Sequence, residues 1–320
     1  MRIIFVGYIN RSGSTLLLSE LSKVKGFVCL PESELLAKTL LEKPYQRVYA
    51  GSNIVKVLDK ALQNDFKLSL FSYRGSFNEL FGKQENELAS IDLFFRFITR
   101  SAISENSTCT HIVFKNTHLP FIYKKIRKAD IERYSVRLIN LVRDPRAIYH
   151  SQKEAIGSWG KPMTSSPFET SLEWSRQIRW CENLMNVDDS KALELYYENL
   201  VSETNRTINN LILELGSYYE LDESQPAYSK KIASNLKDIH ENINKPITSD
   251  SSEIWKRRLS VTEIKCIEWV CRELLSLKGY TPIYKNPFQW HILIHAIPAY
   301  LRHITALKRG IHLPPNSRML

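Results

Sequence analysis

Short apolar runs set between longer amphipathic stretches form the basic pattern of the chain. Mainly apolar segments at Ile3–Val6, His111–Lys115, Val136–Val142 and Ala192–Tyr196 each lead into a turn or into helical periodicity, and predict strands. Helical spacing predicts helices over Thr15–Lys25, Glu87–Ser104, Leu119–Lys128, Phe168–Met185, Leu200–Gly216 and Val261–Leu277. Strands alternating with helices imply an α/β fold whose parallel sheet is covered on both faces. Two stretches break the pattern: Tyr45–Lys83, rich in aromatic and basic residues, and Gly157–Pro167, which carries Gly, Ser, Pro and Trp159. Ligands of α/β sheets bind beyond the carboxyl ends of the strands, so both stretches read as walls of a substrate cleft or as plain surface loops.

The first predicted strand runs into Asn10-Arg11-Ser12-Gly13-Ser14-Thr15, and an apolar helical segment leaves it at Leu16-Leu17-Leu18. Such a strand, tight turn and helix start suits phosphate, because the first N–H groups of a helix have no internal partner and carry the positive end of its dipole. Gly13 lets the backbone wrap closely, Ser12, Ser14 and Thr15 add hydroxyls, Arg11 adds a charge, and the cradle extends to Leu16. A Ser/Gly turn that only caps a helix is the alternative reading of the same residues. The turn is not a Walker A sequence, which needs G-x-x-x-x-G-K-[ST]. Gly7 and Gly13 are one residue too far apart and Ser14 stands at the lysine's place, so a nucleoside triphosphate with magnesium is not the first choice of ligand.

At 320 residues and 43% hydrophobic content, the chain can build one large α/β domain or two. Its formal charge of +10 points to an anionic ligand, an acidic substrate or an anionic membrane surface. The basic residues are scattered and form no recognition motif, which argues against nucleic acid. Cys29, Cys109, Cys181, Cys266 and Cys271 form no C-x-x-C pair and read as reduced thiols. No His/Cys/Asp cluster has ligand spacing, so no metal is expected. With no basic leader or apolar signal region before the first strand, the expected location is cytoplasmic.

The segment Leu141-Val142-Arg143-Asp144-Pro145-Arg146-Ala147-Ile148-Tyr149-His150-Ser151 places an arginine directly after a strand and a serine eight residues later. Arg143 can fork onto a phosphate, Ser151 can donate a second bond to it, and Pro145 suits a helix start. The competing reading is an Asp144/Arg146 surface turn with a buried Ser151.

With both motifs in this order, the sequence resembles the sulfotransferases that use 3′-phosphoadenosine 5′-phosphosulfate (PAPS) and release adenosine 3′,5′-bisphosphate (PAP). The resemblance runs over roughly Met1–Tyr280. It implies a three-layer α/β/α fold with a central, mainly parallel sheet, related to P-loop nucleotide-binding proteins. It also implies that Arg11–Thr15 and Leu16 hold the 5′-phosphosulfate while Arg143 and Ser151 hold the 3′-phosphate. Tyr196-Tyr197-Glu198-Asn199-Leu200 is similar to the family's Tyr-Glu-Asp-Leu segment, with Asn199 for aspartate, which implies Tyr197 near the adenine. Asn244-Lys245-Pro246-Ile247, followed by Trp255, is similar to a late loop that closes over the nucleotide, implying a phosphate contact for Lys245, with His240 nearby as a further catalytic candidate.

Sulfuryl transfer needs a base for the acceptor's proton and a cation where charge builds on the bridging oxygen. The resemblance implies Glu32 as the base, with Glu34 in reserve. Capping of a helix that begins near Glu34 is the other role open to Glu32. Lys115 at the end of its strand is implied as the stabilising cation, with Arg11 sharing the load. The type of turn leans towards carbohydrate and tyrosyl-type members, so the expected acceptor is a hydroxyl or amino group on a carbohydrate, glycolipid or glycosylated metabolite.

A P-loop kinase would explain the turn but not the spacing of Arg143 and Ser151. A non-catalytic binding protein on the same fold is the second rival. Residues 1–285 are assigned to the sulfotransferase domain and 286–320 to an amphipathic, basic extension with Phe288, Trp290, Ile292, Ile297, Arg302 and Lys308. That extension reads as a helix packed on the domain, a dimer contact, or a peripheral membrane helix serving a lipid-linked acceptor.

Overall fold

β1 (Arg2–Gly7) occupies the middle of a five-stranded parallel sheet, flanked by β5 (His111–Lys115) and β6 (Val136–Val142), with β2 (Phe27–Cys29) and β7 (Ala192–Tyr196) at the edges. The computed structural model describes residues 1–156, 160–164, 166–187, 192–222, 228–231, 253–288, 290 and 297. The chain forms two compact units, Met1–Val142 with Trp180–Thr248 and Arg143–Arg179 with Ser249–Leu320. The sheet belongs wholly to the first.

Alternation along the strands builds the layers. Ile3 and Phe5 of β1, Ile112 and Phe114 of β5, and Val136 and Leu138 of β6 enter one core with Phe94, Phe95 and Phe97 of the helix Ser90–Glu105. The intervening Ile4, Val6, Val113, Ile139 and Leu141 enter a second core with Leu17 and Leu18 of the helix Ser14–Leu21 and with Leu211 and Ile212 of the helix Thr204–Glu214. Strands buried on both faces read as unbroken apolar runs, and the strands expected at His111–Lys115, Val136–Val142 and Ala192–Tyr196 are found with those bounds.

Other bounds differ for identifiable reasons. Glu87–Ala89 (β4) pairs antiparallel with Arg47–Tyr49 (β3), so the helix expected from Glu87 begins at Ser90. The first helix ends at Leu21, four residues before the expected Lys25. The helix expected at Leu119–Lys128 ends at Tyr123, and another runs over Lys128–Arg133. The helical stretch expected at Leu200–Gly216 is divided into Tyr197–Ser202 and Thr204–Glu214. Within Tyr45–Lys83 the chain forms the helix Asn53–Asn64, and Leu68, Phe71 and Phe77 fill the first core.

In the second unit, Asp144 caps the helix Pro145–Glu154 by accepting from the Arg146 N–H at 2.8 Å, with Pro145 in the first turn as expected. Ser260 and Glu263 form a capping box at the start of the helix Val261–Leu277. The Arg146 guanidinium is 3% exposed, bonds Asp144 and Glu268, and lies 4.1 Å from the Trp255 ring. Asp144 and Arg146 are therefore an internal lock and not a surface turn. Glu268 completes the lock by accepting the N–H groups of Ile283 and Tyr284.

All five cysteines are buried free thiols. Among the described residues no helix is long and apolar enough to cross a membrane. Most of 286–320 lies outside the described residues; Phe288 packs against Trp269 at 5.2 Å.

Candidate active site

The carboxyl end of β1 lies where the chain connections diverge, since β1 leads to β2 on one side while β5 leads across it to β6 on the other. Beyond Gly7 the chain turns at once. Ser12 N–H donates to the Ile9 carbonyl at 3.0 Å, and Arg11 takes a left-handed conformation with φ 76° in that turn. A non-glycine residue there stores about 1–3 kcal/mol, a cost met more often at ligand sites than elsewhere. Gly13 follows with φ 89°, and a Cβ on it would lie 2.6 Å from Cε2 of Tyr197 and closer still to Cδ2. The helix then starts, with its first bond running from Leu17 N–H to the Gly13 carbonyl at 3.1 Å. Gly13 caps this end with backbone alone, so the N–H groups of the first turn keep their anion-binding capacity.

Lys115 ends β5 opposite Val6 of β1, which brings its side chain to this turn. Lys115 is 5% exposed, and its ammonium donates to Ser14 Oγ at 3.3 Å and Thr15 Oγ1 at 3.0 Å. The rings of Tyr8 and Tyr228 lie 5.2 and 5.9 Å from it. Burial pushes its pKa below the usual lysine range, against the pull of Glu32 and with the help of Lys67. Two of its three N–H donors are used among the described residues, leaving one for a ligand.

Glu32 follows β2 and is half-buried. Its carboxylate accepts from the Tyr8 hydroxyl at 2.6 Å. The helix cap beside it is Ser33, which accepts from Leu36 N–H, so capping is not the work of Glu32. Glu34 is exposed and pairs with Lys38 at 3.5 Å. Burial, then the Glu32 charge, push the Tyr8 phenol well above the usual tyrosine range.

The buried polar atoms without a hydrogen-bond partner among the described residues include Ser12 Oγ in the turn and Asn116 Nδ2 just after Lys115. A buried polar group without a partner is costly, and a bound anion would satisfy donors of this kind. The turn N–H groups, the Ser12 hydroxyl and the free donor of Lys115 together fit a multiply charged phosphate or sulfate ester.

The second unit carries Arg143 and Ser151. Arg143 is 6% exposed, and its carbonyl accepts from Trp174 Nε1 at 2.9 Å. Ser151 is half-buried on the helix Pro145–Glu154. Tyr197, expected near an adenine, starts its helix in the first unit with its ring against Gly13. His240 and Lys245 lie outside the described residues. The structure thus brings Arg11–Thr15, Glu32 and Lys115 into one neighbourhood of the first unit. It adds Tyr8 and Tyr228, which sequence reasoning missed. Tyr8 reads as the tail of a strand, and Tyr228 stands in a segment with no motif.

The fold and this turn define a three-layer α/β protein with a hydroxyl-rich turn at the carboxyl end of its central strand. The chain belongs to the Sulfotransferase family, whose sequence profile matches residues 3–220. The sulfotransferase domain of the Synechococcus PCC 7002 olefin synthase is similar in structure, with a TM-score of 0.52 at 18% identity over 88% of this chain and 94% of that one. The sulfotransferase domain from the curacin biosynthetic pathway gives a TM-score of 0.52 at 16% identity over 88% and 98%. Among curated proteins, none matches the chain in sequence. Family membership makes the chain a sulfotransferase in class.

Proposed function

We propose that the protein transfers the sulfuryl group of PAPS to a hydroxyl or amino group of a carbohydrate, glycolipid or glycosylated metabolite. The observation that carries this reading is the juxtaposition of a buried ammonium, Lys115, with the hydroxyl-rich turn and the Glu32 carboxylate in one unit. PAPS supplies the sulfuryl group and departs as PAP. The turn from Arg11 to Leu16 holds the 5′ end, with Ser12 donating from its hydroxyl. Arg143 and Ser151 take the 3′-phosphate, Tyr197 serves the adenine end, and Lys245 and His240 supply late contacts.

In the transfer, the acceptor oxygen or nitrogen forms its bond to sulfur as the bond from sulfur to the bridging oxygen breaks. Glu32 takes the acceptor's proton. Lys115, through its remaining N–H, and Arg11 balance the charge that builds on the bridging oxygen. Their contribution grows through the step, which is what raises turnover in preference to ground-state binding.

The test is transfer of labelled sulfate from PAPS to a panel of oligosaccharide, glycolipid and glycosylated acceptors. Glu32→Gln is expected to lose ~10²- to 10⁴-fold in rate while PAPS still binds. Undiminished transfer by that variant would assign the base elsewhere. Absence of transfer to every acceptor would contradict the acceptor class.

A further inference from the structure

Tyr228 and Lys231 begin and end one 3₁₀ turn. With three residues to the turn, side chains at i and i+3 eclipse, so the two lie on one face. That face is inward: Tyr228 is 2% exposed and the Lys231 side chain 9%. The Lys231 ammonium donates to the Cys29 carbonyl at 2.6 Å and pairs with the Glu105 carboxylate. Cys29 ends β2, and Glu105 ends the helix Ser90–Glu105, where it also accepts from the Ser72 hydroxyl at 3.4 Å. A buried ammonium is tolerated only where acceptors meet its protons, so this pairing fixes where the turn sits. Tyr228 enters the second core with Leu17 and Leu18 of the helix Ser14–Leu21, against which the turn packs.

The Tyr228 ring centre lies 5.9 Å from the Lys115 ammonium, and the Tyr8 ring centre lies 5.2 Å from it. The face of an aromatic ring is negative and attracts a cation within ~6 Å, more strongly where water is excluded. Lys115 is 5% exposed, and its two hydrogen-bond acceptors among the described residues, Ser14 and Thr15, are neutral hydroxyls. We propose that Tyr228 and Lys231 are positioning residues. Lys231, fastened to Glu105 and to the end of β2, seats the Tyr228 ring against Lys115, and the rings of Tyr228 and Tyr8 bracket the buried ammonium and keep it charged. The consequence for catalysis rests on the sulfuryl-transfer reading above, because only a charged Lys115 can balance the bridging oxygen.

Lys115 is faced by Ser14 and Thr15 from the start of the first helix, by Tyr8 from beyond β1 and by Tyr228 from the 3₁₀ turn. Cys29 bears on it from β2, Glu32 from the segment after β2, and Lys67 from the segment before Leu68. Glu32 favours the charged ammonium and Lys67 opposes it. Burial pushes the Cys29 thiol up to about 12 and both phenols well above the usual tyrosine range. Each tyrosine therefore meets the ammonium as a neutral ring and not as a phenolate. Burial holds Lys115 below the usual lysine range, and the rings act in the opposite sense. Loss of one ring lowers its proton affinity further, whereas a general loosening that let water in would raise it.

The experiment is a pH titration of the Lys115 side chain by ¹³C NMR on the full chain labelled at lysine, with the resonance assigned by its loss in Lys115→Met. Tyr228→Leu removes the ring and is expected to move the midpoint down by about half to one and a half pH units. Tyr228→Phe keeps the ring and is expected to return the wild-type value. The double variant Lys231→Met/Glu105→Gln frees the turn without leaving a buried charge unpaired, and is expected to lower the midpoint as well; Lys231→Arg is expected to hold it. A midpoint that stays or rises in Tyr228→Leu overturns the bracket. If Tyr228→Leu does not fold, the double variant decides alone, and a midpoint equal to that of the wild type overturns the proposal. PAP binding to the wild-type chain, measured by calorimetry, separates the two levels. No binding defeats the sulfuryl-transfer reading, whereas binding together with an unmoved midpoint defeats only the bracket.

Discussion

Gly13→Ala perturbs the turn at the point where backbone and packing demands coincide. The residue has φ 89°, a region that costs an L-residue with a side chain roughly 1–2 kcal/mol. The new methyl would also stand 2.6 Å from Tyr197 Cε2, well inside the ~3.5–4 Å at which carbon atoms rest against each other. Tyr197 is 8% exposed and starts a helix directly after β7, so its ring yields only by disturbing its own support. Overpacking of this kind costs about 1–3 kcal/mol, and adding the backbone cost gives about 2–5 kcal/mol in all. At ~2–4 °C per kcal/mol, a scanning calorimeter should record a melting temperature lower by about 4–20 °C. A double-mutant cycle with Tyr197→Ala separates the two parts, because without the ring only the backbone cost remains and a coupling of about 1–3 kcal/mol should appear. An unaltered melting temperature for Gly13→Ala would refute the reasoning. So would an equal loss with and without the ring.

Lys115→Ala should lower turnover by ~10²- to 10³-fold in single-turnover kinetics while leaving PAPS affinity within a few fold, because the cation acts on charge that develops in the transition state; a loss confined to affinity would speak against that role. Arg146→Met leaves Asp144 and Glu268 buried without their cation and should cost about 3–5 kcal/mol in denaturant unfolding, whereas a neutral result would mean the lock is replaceable by packing. His111 stacks on Phe27 at 4.3 Å, and burial, aided by Arg2, lowers its pKa to about 4. The unfolded chain thus binds the proton more readily, so this contribution is complete above pH ~6.5 and is lost as pH falls towards 4. Between pH 7.5 and 4.5 the wild type should lose about 2 kcal/mol more than His111→Phe, after discounting for solvent screening, and parallel losses would exclude the effect.

Much of the fold was legible because parallel strands buried on both faces leave unbroken apolar runs, as in Val136–Val142. β2 has only three residues, and β3 and β4 form a small antiparallel pair, so none of them leaves a periodic signature. Pairing across forty residues overrode the helical spacing that begins at Glu87. In the candidate site, the placing of Arg11, Gly13 and Lys115 around one turn was legible because all three stand at or just beyond strand ends. The part of Glu32 was only half readable: two glutamates flank Ser33, and the fold decides which of them meets Tyr8 and which faces Lys38. Tyr8 and Tyr228 were unreadable. An aromatic beside an apolar strand looks like core until the chain brings a buried ammonium and a carboxylate to it.

The central claim is that the turn after β1 serves a sulfuryl donor and not a nucleoside triphosphate. Titration calorimetry with PAP in the absence of magnesium, set beside ATP with magnesium, tests it most directly. Saturable PAP binding without the metal, weakened by Arg11→Ala and by Arg143→Ala, is the predicted result. Tight, magnesium-dependent ATP binding with no response to PAP would contradict it.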